Sequence, residues 1–292
     1  MWYGGNMSTF LDILVLGTLW GSLYTLISVG FTLIFGVAGI INLAHGAFYM
    51  LGAYLGYTFM SLLGIPVALS AAMAVLGTSL AGMLVDRVFI RPMRQNHAYV
   101  LLMTLALALL FQEIMYVFFG PHGKAVHDFV KGELFLGNVR VTYQKLLTMV
   151  MSWISVGALW VFIKTTRTGK SISAVAQNLD AAVLMGIQPE KVYLLTMGIS
   201  AALAGTAGVL IAPILEAVPG MWAFPLFKAF AVVIIGGLGS LEGAILSAML
   251  LGYSETLVSR LVSANYPDMV YLVAIILILV LRPRGLMGRR AQ

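Results

Sequence analysis

Residues 21–54, GSLYTLISVGFTLIFGVAGIINLAHGAFYMLGAY, hold two long apolar runs separated by a short polar break. A helix needs about 20 predominantly apolar residues to cross the hydrocarbon core of a bilayer, and both runs belong to segments of about that length. Asn42 and His45 lie in the break, three positions apart, so a helix would place them on one face. The stretch therefore predicts membrane-embedded helices with a polar interruption between them.

The composition of the whole chain agrees with a membrane protein. Of its 292 residues, 61% are hydrophobic and only 10% are charged, whereas a soluble domain has about 25% charged residues. The apolar runs are continuous rather than alternating, which argues against a transmembrane β-barrel. Cysteine is absent, which excludes disulfides and thiolate metal sites. The sequence predicts an all-α, polytopic integral membrane protein.

Apolar segments recur along the whole chain and predict a single transmembrane domain over residues 1–292. The candidate spans are roughly 11–33, 47–63, 66–85, 98–119, 143–163, 193–213, 223–238, 242–260 and 269–281. The segments 34–46 and 224–242 are rich in glycine or too short for a simple crossing, so we expect broken or re-entrant helices there. Eight to ten crossings are expected.

Three loops between the spans are rich in Lys and Arg and contain eleven of the seventeen basic residues. These residues are Arg87, Arg91 and Arg94; Lys164, Arg167, Lys170 and Lys191; and Arg282, Arg284, Arg289 and Arg290. The positive-inside rule places such loops in the cytoplasm, which puts the N-terminus in the periplasm and the C-terminus in the cytoplasm. This topology accounts for the net charge of +6, so no nucleic-acid partner is predicted.

The longest of these loops, residues 164–192, predicts a short amphipathic helix over 171–186. Apolar residues recur there at helical spacing: Ala174, Val175, Leu179, Ala182 and Val183. Gly186 is a natural C-terminal cap, and Pro189 stops any continuation. The polar face carries Gln177, Asn178 and Asp180 instead of the basic residues typical of membrane-surface helices. The pattern therefore favours a protein partner for this helix.

Asp180-Ala181-Ala182-Val183-Leu184-Met185-Gly186 resembles the EAA…G coupling motif of ABC importer permeases, with Asp in place of the usual Glu. Four further blocks, at 21–54, 91–94 (RPMR), 228–252 and 281–289, extend the likeness in the same order along almost the whole chain. The chain is similar to the branched-chain amino-acid ABC transporter permease family, and specifically to its H-type subunit. Two positions depart from the usual family pattern: Ala47 stands where Glu is usual, and Glu242 where Pro is usual.

The resemblance implies an ABC importer permease fold in the inner membrane of a bacterium and a role as a transport subunit rather than an enzyme. The implied partners are membrane lipid, a second homologous permease chain, two cytoplasmic ATPase subunits that bind ATP and Mg, and a periplasmic substrate-binding protein. No cofactor or metal is expected on this chain, and the sequence has no phosphate-binding loop of the G-x-x-x-x-G-K-[ST] type. The resemblance assigns contact with the ATPase to Ala174, Asp180, Ala181, Ala182, Leu184, Met185 and Gly186.

The expected cargo is a branched-chain or related amino acid, with urea, a short amide, or an aromatic or other carboxylate as alternatives. Two glycine-interrupted stretches, 35–56 and 234–252, look alike, and such paired interruptions point to a transport route. The candidate route residues are Asn42, His45, Ala47, Tyr49, Gly236, Gly237, Gly239 and Ser240. For Asn42 and His45 a buried structural hydrogen bond is the competing interpretation. A metal site is disfavoured there, because His45 has no second ligand at suitable spacing.

Several ionisable residues fall in or beside apolar spans, where charge is costly and needs a partner or a function. The roles of Glu113, Glu216, Lys228 and Glu242 stay open, and Lys228 is expected to reach the interface or to pair with Glu216 or Glu255. The competing functional class is a secondary transporter or channel that works without ATP. A purely structural membrane protein is disfavoured by the long loop at 164–192.

Overall fold

The computed structural model describes residues 3–136, 139–282 and 285–288. In these ranges the chain forms the following α-helices: α1 Tyr3–Ala38, α2 Ala44–Tyr57, α3 Val67–Val85, α4 His97–Phe119, α5 Tyr143–Thr165, α6 Arg167–Gln177, α7 Leu179–Leu184, α8 Pro189–Ile211, α9 Ala223–Gly236, α10 Leu241–Leu261 and α11 Pro267–Leu281. Short π-helical turns at Thr58–Leu62 and Asp86–Ile90 extend α2 and α3, and a 3-10 turn at Arg91–Met93 follows the second of them.

Six helices in the described ranges are long and apolar enough to cross a membrane: α1, α3 with its extension, α4, α5, α8 and α10. The shorter helices α9 and α11 are also apolar. This architecture confirms the predicted polytopic helical membrane protein. Large apolar side chains on the outer faces of α3, α4 and α5 are exposed, for example Leu80, Leu102 and Ile154. In a bilayer such faces contact lipid.

One small element of this all-α fold is not helical and was not expected from the sequence. The connection between α4 and α5 contains an antiparallel pair of strands, β1 Glu133–Leu136 and β2 Val139–Thr142. Arg140 on β2 forms an ion pair with Glu133 on β1, and this hydrogen-bonded cation lowers the pKa of the Glu133 carboxyl. The strands lie outside the membrane-spanning helices.

The centre of the bundle is α1, which packs closely against α8 and α10. Glycines permit the close approach of α1 to α10, because a Cβ atom on Gly252 would lie 2.6 Å from the Cα of Gly21. Small residues let helix backbones meet in membranes, where van der Waals packing replaces the hydrophobic effect as the attractive force.

Both predicted interruptions are breaks between helices, and they touch each other. The first follows α1 at Gly39, whose φ is +66°, and the second follows α9 at Gly237 and Gly239, whose φ values are +100° and +80°. A Cβ atom on Gly36 would lie 3.3 Å from the Cα of Gly239. The positive φ angles explain why glycine is needed at these turns. The breaks therefore meet at one end of the bundle.

The segment after α11 also packs at this end. The backbone N–H of Leu286 donates to the carbonyl of Ile235 at 2.8 Å, and that of Met287 donates to the carbonyl of Gly236 at 2.9 Å. These bonds satisfy carbonyl groups in the last turn of α9 that have no partner within the helix. Of the basic residues predicted for the C-terminal segment, Arg284, Arg289 and Arg290 lie outside the described residues.

The single helix predicted over 171–186 is wrong, because the chain breaks at Asn178 into α6 and α7. Asn178 is extended, with φ −157° and ψ 108°, and its Oδ1 accepts a hydrogen bond from the Ala181 N–H at 2.9 Å. An N-cap of this kind competes with continuation of the helix. Gly186 ends α7 at φ +81°, with its N–H bonded to the Val183 carbonyl and the Ile187 N–H bonded to the Ala182 carbonyl. This is a Schellman motif.

An ion-pair network connects the end of α3 to the start of α8. Arg94 contacts Asp86 at 2.6 Å and Glu190 at 3.1 Å, and its guanidinium lies 4.2 Å from the ring centre of Tyr193. The side chains of Arg94 and Asp86 are only 12% and 4% exposed. The RPMR block thus holds the loop before α4 against α8.

We expect Arg94→Ala to destabilise the folded chain by about 3 kcal/mol, because it leaves the buried Asp86 carboxylate without its cation. The measurement is the temperature at which the detergent-solubilised protein loses its monodisperse state. Arg87→Ala is the matched control, since Arg87 lies in the same basic loop and is exposed. Equal losses for the two variants would contradict this role of Arg94.

Candidate functional site

A cavity of about 730 Å³ lies between α1, α2, α9, α10, α11 and the connection 212–222. Its apolar wall includes Leu16, Trp20, Leu215, Met221, Phe224 and Pro225. Its charged lining residues are Glu216, Lys228, Glu255, Arg260 and Asp268. The cavity is formed by the C-terminal half of α10 and the start of α11, whereas the touching helix breaks lie at the N-terminal end of α10. It therefore lies towards the opposite end of the bundle.

Lys228 is the centre of an ionic cluster in this cavity, and its own side chain is 13% exposed. Its Nζ lies 3.0 Å from Oε2 of Glu255 and 3.2 Å from Oδ1 of Asp268, and it donates to the Tyr24 hydroxyl at 3.0 Å. The Tyr24 hydroxyl in turn donates to Oε2 of Glu255 at 2.6 Å. Of the two carboxylates proposed as partners from the sequence, Glu255 pairs with Lys228. Glu216 lines the same cavity beside Gly123.

Tyr24, Arg260 and Asp268 belong to this site but were not singled out from the sequence. One sequence feature could have identified them, because each is a polar or ionisable residue within or at the end of an apolar span. Arg260 contacts Asp12 at 3.2 Å across α10 and α1. Among the eight route candidates, Tyr49 lines the cavity and is 4% exposed.

Asn42 and His45 lie in the protein core and are 1% and 0% exposed. Nε2 of His45 lies 3.0 Å from the Ile27 carbonyl, and Nδ1 lies 3.1 Å from the Ser200 hydroxyl. Since a carbonyl only accepts, Nε2 carries the proton. Oδ1 of Asn42 accepts from the Ala44 N–H at 3.0 Å. These contacts join α1, α2 and α8 and match the structural interpretation of the pair.

The other route candidates pack in the core or form helix ends and turns. Ala47 is fully buried in an apolar cluster with Phe31 and Met50. Gly236, Gly237 and Gly239 form the end of α9 and the turn that follows it, and Oγ of Ser240 caps α10 by accepting from the Gly243 N–H at 3.1 Å. These four residues lie at the end of the bundle that is remote from the cavity.

We expect His45→Ala to lower the yield of folded protein and any transport activity in the same proportion. The change removes a buried ring and two hydrogen bonds, which costs about 3 kcal/mol. Yield after membrane extraction and uptake per recovered molecule are the two measurements. His97→Ala, at an exposed position that begins α4, is the control. A loss of uptake per molecule at full yield would contradict the structural role.

The C-terminal end of α7 carries two large apolar side chains in nearly full exposure, Leu184 at 87% and the C-cap residue Met185 at 84%. Asp180, Ala181 and Gly186 are exposed beside them, whereas Ala182 is buried and Ala174 is half-buried. The structure thus brings most of the predicted contact residues to one outward-facing tip. Exposed apolar side chains that cluster in this way mark interaction sites.

Continuous apolar helices, a cavity between them and an apolar tip on a loop between two spans together define a helical membrane permease. A family model described as "Branched-chain amino acid transport system / permease component" matches residues 13–281. The chain belongs to this family.

Named relatives agree over almost the full length. The chain is 32% identical to the high-affinity branched-chain amino acid transport system permease protein BraD of Pseudomonas aeruginosa, over 96% of both chains. It is 30% identical to the permease protein LivH of the corresponding Escherichia coli K12 system, again over 96% of both chains. Among solved structures, PsaBC from Streptococcus pneumoniae in complex with Fab is similar in fold, with a TM-score of 0.50, 12% identity and coverage of 93% and 92% of the two chains.

Proposed function

We propose that this chain is a permease subunit of an ATP-driven ABC importer that moves branched-chain or related amino acids across the inner membrane of a bacterium. The full-length similarity to two permease proteins of high-affinity branched-chain amino acid transport systems supports the cargo class. The proposed assembly contains a second homologous permease chain, two ATPase subunits and a periplasmic binding protein. By the positive-inside rule, the basic loops support a cytoplasmic position for α6, α7 and the C-terminus and a periplasmic one for the N-terminus.

The exposed tip of α7 is the observation that carries the proposal. Leu184 and Met185 offer apolar area to a groove on an ATPase subunit, in the manner of an amphipathic helix docking into a partner. ATP and Mg are held by the ATPase, because the sequence of this chain has no phosphate-binding loop.

Helices α5 and α6 pack closely where they meet, so movement of one is transmitted to the other. A Cβ atom on Gly169 would lie 2.5 Å from the Cα of Ile163, so the two helices meet backbone to backbone. At the other end, Gly186 closes α7 and α8 starts at Pro189 after a short connection. When the ATPase pair closes on ATP, movement of α6 and α7 carries α5 and α8, and α8 packs against α1, α2 and α3. This displacement changes the open side of the transport route.

A cross-linking experiment tests the proposed ATPase contact. The chain has no natural cysteine, so Leu184→Cys introduces one defined thiol in it. We expect this thiol to cross-link to an ATPase subunit in the assembled importer, whereas Ser155→Cys on α5 does not. Cross-linking that is equal at both positions, or absent at residue 184, contradicts the proposed contact.

The cargo is tested through the binding protein of the same system. We expect leucine, isoleucine or valine to raise its melting temperature and to be taken up by the complete importer. If only urea, a short amide or a carboxylate stabilises the binding protein, the importer class stands, but the cargo is that compound and not a branched-chain amino acid.

A further inference from the structure

The cavity contains a buried carboxylate oxygen whose hydrogen-bonding capacity is unused. Glu255 is 4% exposed and lines the cavity. Its Oε2 accepts from Tyr24 and Lys228, whereas its buried Oε1 has no hydrogen-bond partner in the part of the chain that the structure describes. A buried acceptor without a donor is unfavourable, so a ligand that brings a donor would be stabilised here.

The charges in the cavity specify which kind of donor fits. The lining contains three carboxylates, Glu216, Glu255 and Asp268, and two cationic side chains, Lys228 and Arg260, which gives a formal charge of −1. The Lys228 ammonium already has three partners, because it donates hydrogen bonds to Tyr24 and Glu255 and forms an ion pair with Asp268. The buried hydrogen-bonding group that is still unused is therefore a carboxylate oxygen. Such an acceptor matches the N–H donors of a ligand ammonium group.

The rest of the wall is apolar and of suitable size. Ligand cavities in proteins have volumes of about 300–1,000 Å³, and this one measures about 730 Å³. Trp20, Met221 and Phe224 lie on its apolar side. A ligand that combines an ammonium group with a short hydrocarbon side chain matches both parts of the cavity.

We infer that this cavity binds an amino acid with an apolar side chain, and that Oε1 of Glu255 accepts a hydrogen bond from its α-ammonium group. The hydrocarbon side chain packs on the apolar wall formed by α1, α9 and the connection 212–222. Arg260 pairs with Asp12 at 3.2 Å, but its side chain is 44% exposed and its guanidinium has further N–H donors for the ligand carboxylate. The choice of an amino acid among ammonium ligands rests on the proposed function.

A thiol-protection experiment measures binding at this site in the complete importer. Ser259 lines the cavity, and Ser259→Cys places a single thiol there in a chain without natural cysteine. The rate at which a polar thiol reagent modifies this chain is measured by mass spectrometry at increasing ligand concentration. We expect leucine to slow the modification.

Glu255→Gln in this background is expected to raise the half-protective leucine concentration by about tenfold or more, because a neutral amide binds an ammonium less strongly than a carboxylate does. Glu242→Gln is the matched control and is expected to leave this concentration unchanged. It removes a carboxylate from the same helix, but Glu242 is exposed in the first turn of α10. An unchanged value for Glu255→Gln would overturn the inference.

Ligand analogues test the same point without any change at Glu255. We expect 3-methylbutylamine, which keeps the ammonium and lacks the carboxylate, to protect the thiol. We expect 4-methylpentanoate, which lacks the ammonium, to protect about tenfold less well or worse. Equal protection by both analogues, or none by leucine in an importer that takes up leucine, would overturn the inference and leave the proposed function standing. An importer that takes up no amino acid would refute the proposed function itself.

Discussion

The double variant Leu184→Glu with Met185→Glu is expected to abolish ATP-driven uptake while the chain still inserts into the membrane. Both side chains are more than four-fifths exposed, so their replacement removes no packing within the chain. In the proposed contact with an ATPase subunit, each side chain contributes about 2 kcal/mol of apolar burial, and a buried unpaired carboxylate adds a further penalty. The combined loss lowers the affinity for the ATPase by about a thousandfold or more.

Two measurements check this expectation: the amount of ATPase that co-purifies with the permease, and the uptake per permease molecule. The matched control exchanges the two residues, as Leu184→Met with Met185→Leu, and so keeps the apolar surface of the tip. We expect this control to bind the ATPase and to transport normally. Normal uptake by the glutamate variant would show that the tip makes no energetically important contact.

Gly208→Ala is expected to prevent correct packing of α2 on α8 and to remove most of the folded protein. A Cβ atom at Gly208 would overlap the Tyr49 carbonyl oxygen and would lie 3.0 Å from the backbone nitrogen of Ala53. Neither is a flexible side chain, so the whole helix must shift. Overpacking of this kind costs about 3 kcal/mol or more.

Gly157→Ala provides the control for Gly208→Ala, because Gly157 is helical in α5 and a Cβ atom there would meet no neighbouring helix of the described chain within 4 Å. Alanine has the higher helix propensity, by about 1 kcal/mol, so this control is expected to be neutral or slightly stabilising. Thermal stability in detergent and the recovered yield distinguish the two variants. Equal stability for both would contradict the close approach of α2 and α8.

Local sequence features predicted the spans well. The expected spans at 98–119 and 143–163 correspond to α4 at His97–Phe119 and α5 at Tyr143–Thr165. Length and continuity of apolar residues decide such segments, and both can be measured within one stretch of chain. The glycine-rich interruptions were also predicted, since positive φ angles at Gly39 and Gly237 require this residue type.

The structure departs from the sequence-based expectations in two places, and in each the sequence contains a local signal for the structure observed. The break at Asn178 depends on a hydrogen bond from Ala181, three residues on, which outweighs the helical spacing of the apolar residues around it. The strands β1 and β2 flank a Gly-Asn dipeptide, a known hairpin signal.

The cavity site could be predicted only in part. Tyr24 and Glu255 are separated by 231 positions in the sequence, and they meet because α1 packs on α10. Such pairings depend on which helices are neighbours, and spacing along the chain does not contain that information. For the same reason His45 was a route candidate, although its ring bonds to Ile27 and Ser200 inside the core.

The most direct test of the central claim is uptake of labelled leucine by proteoliposomes that contain this chain, its partner permease and the two ATPase subunits, with the binding protein on the outside. We predict uptake that requires ATP and Mg inside the vesicles, together with the binding protein. The uptake should disappear when the ATPase subunits are omitted. Leucine uptake of equal rate by this chain alone, without ATP, would contradict the account and identify an ATP-independent transporter or channel.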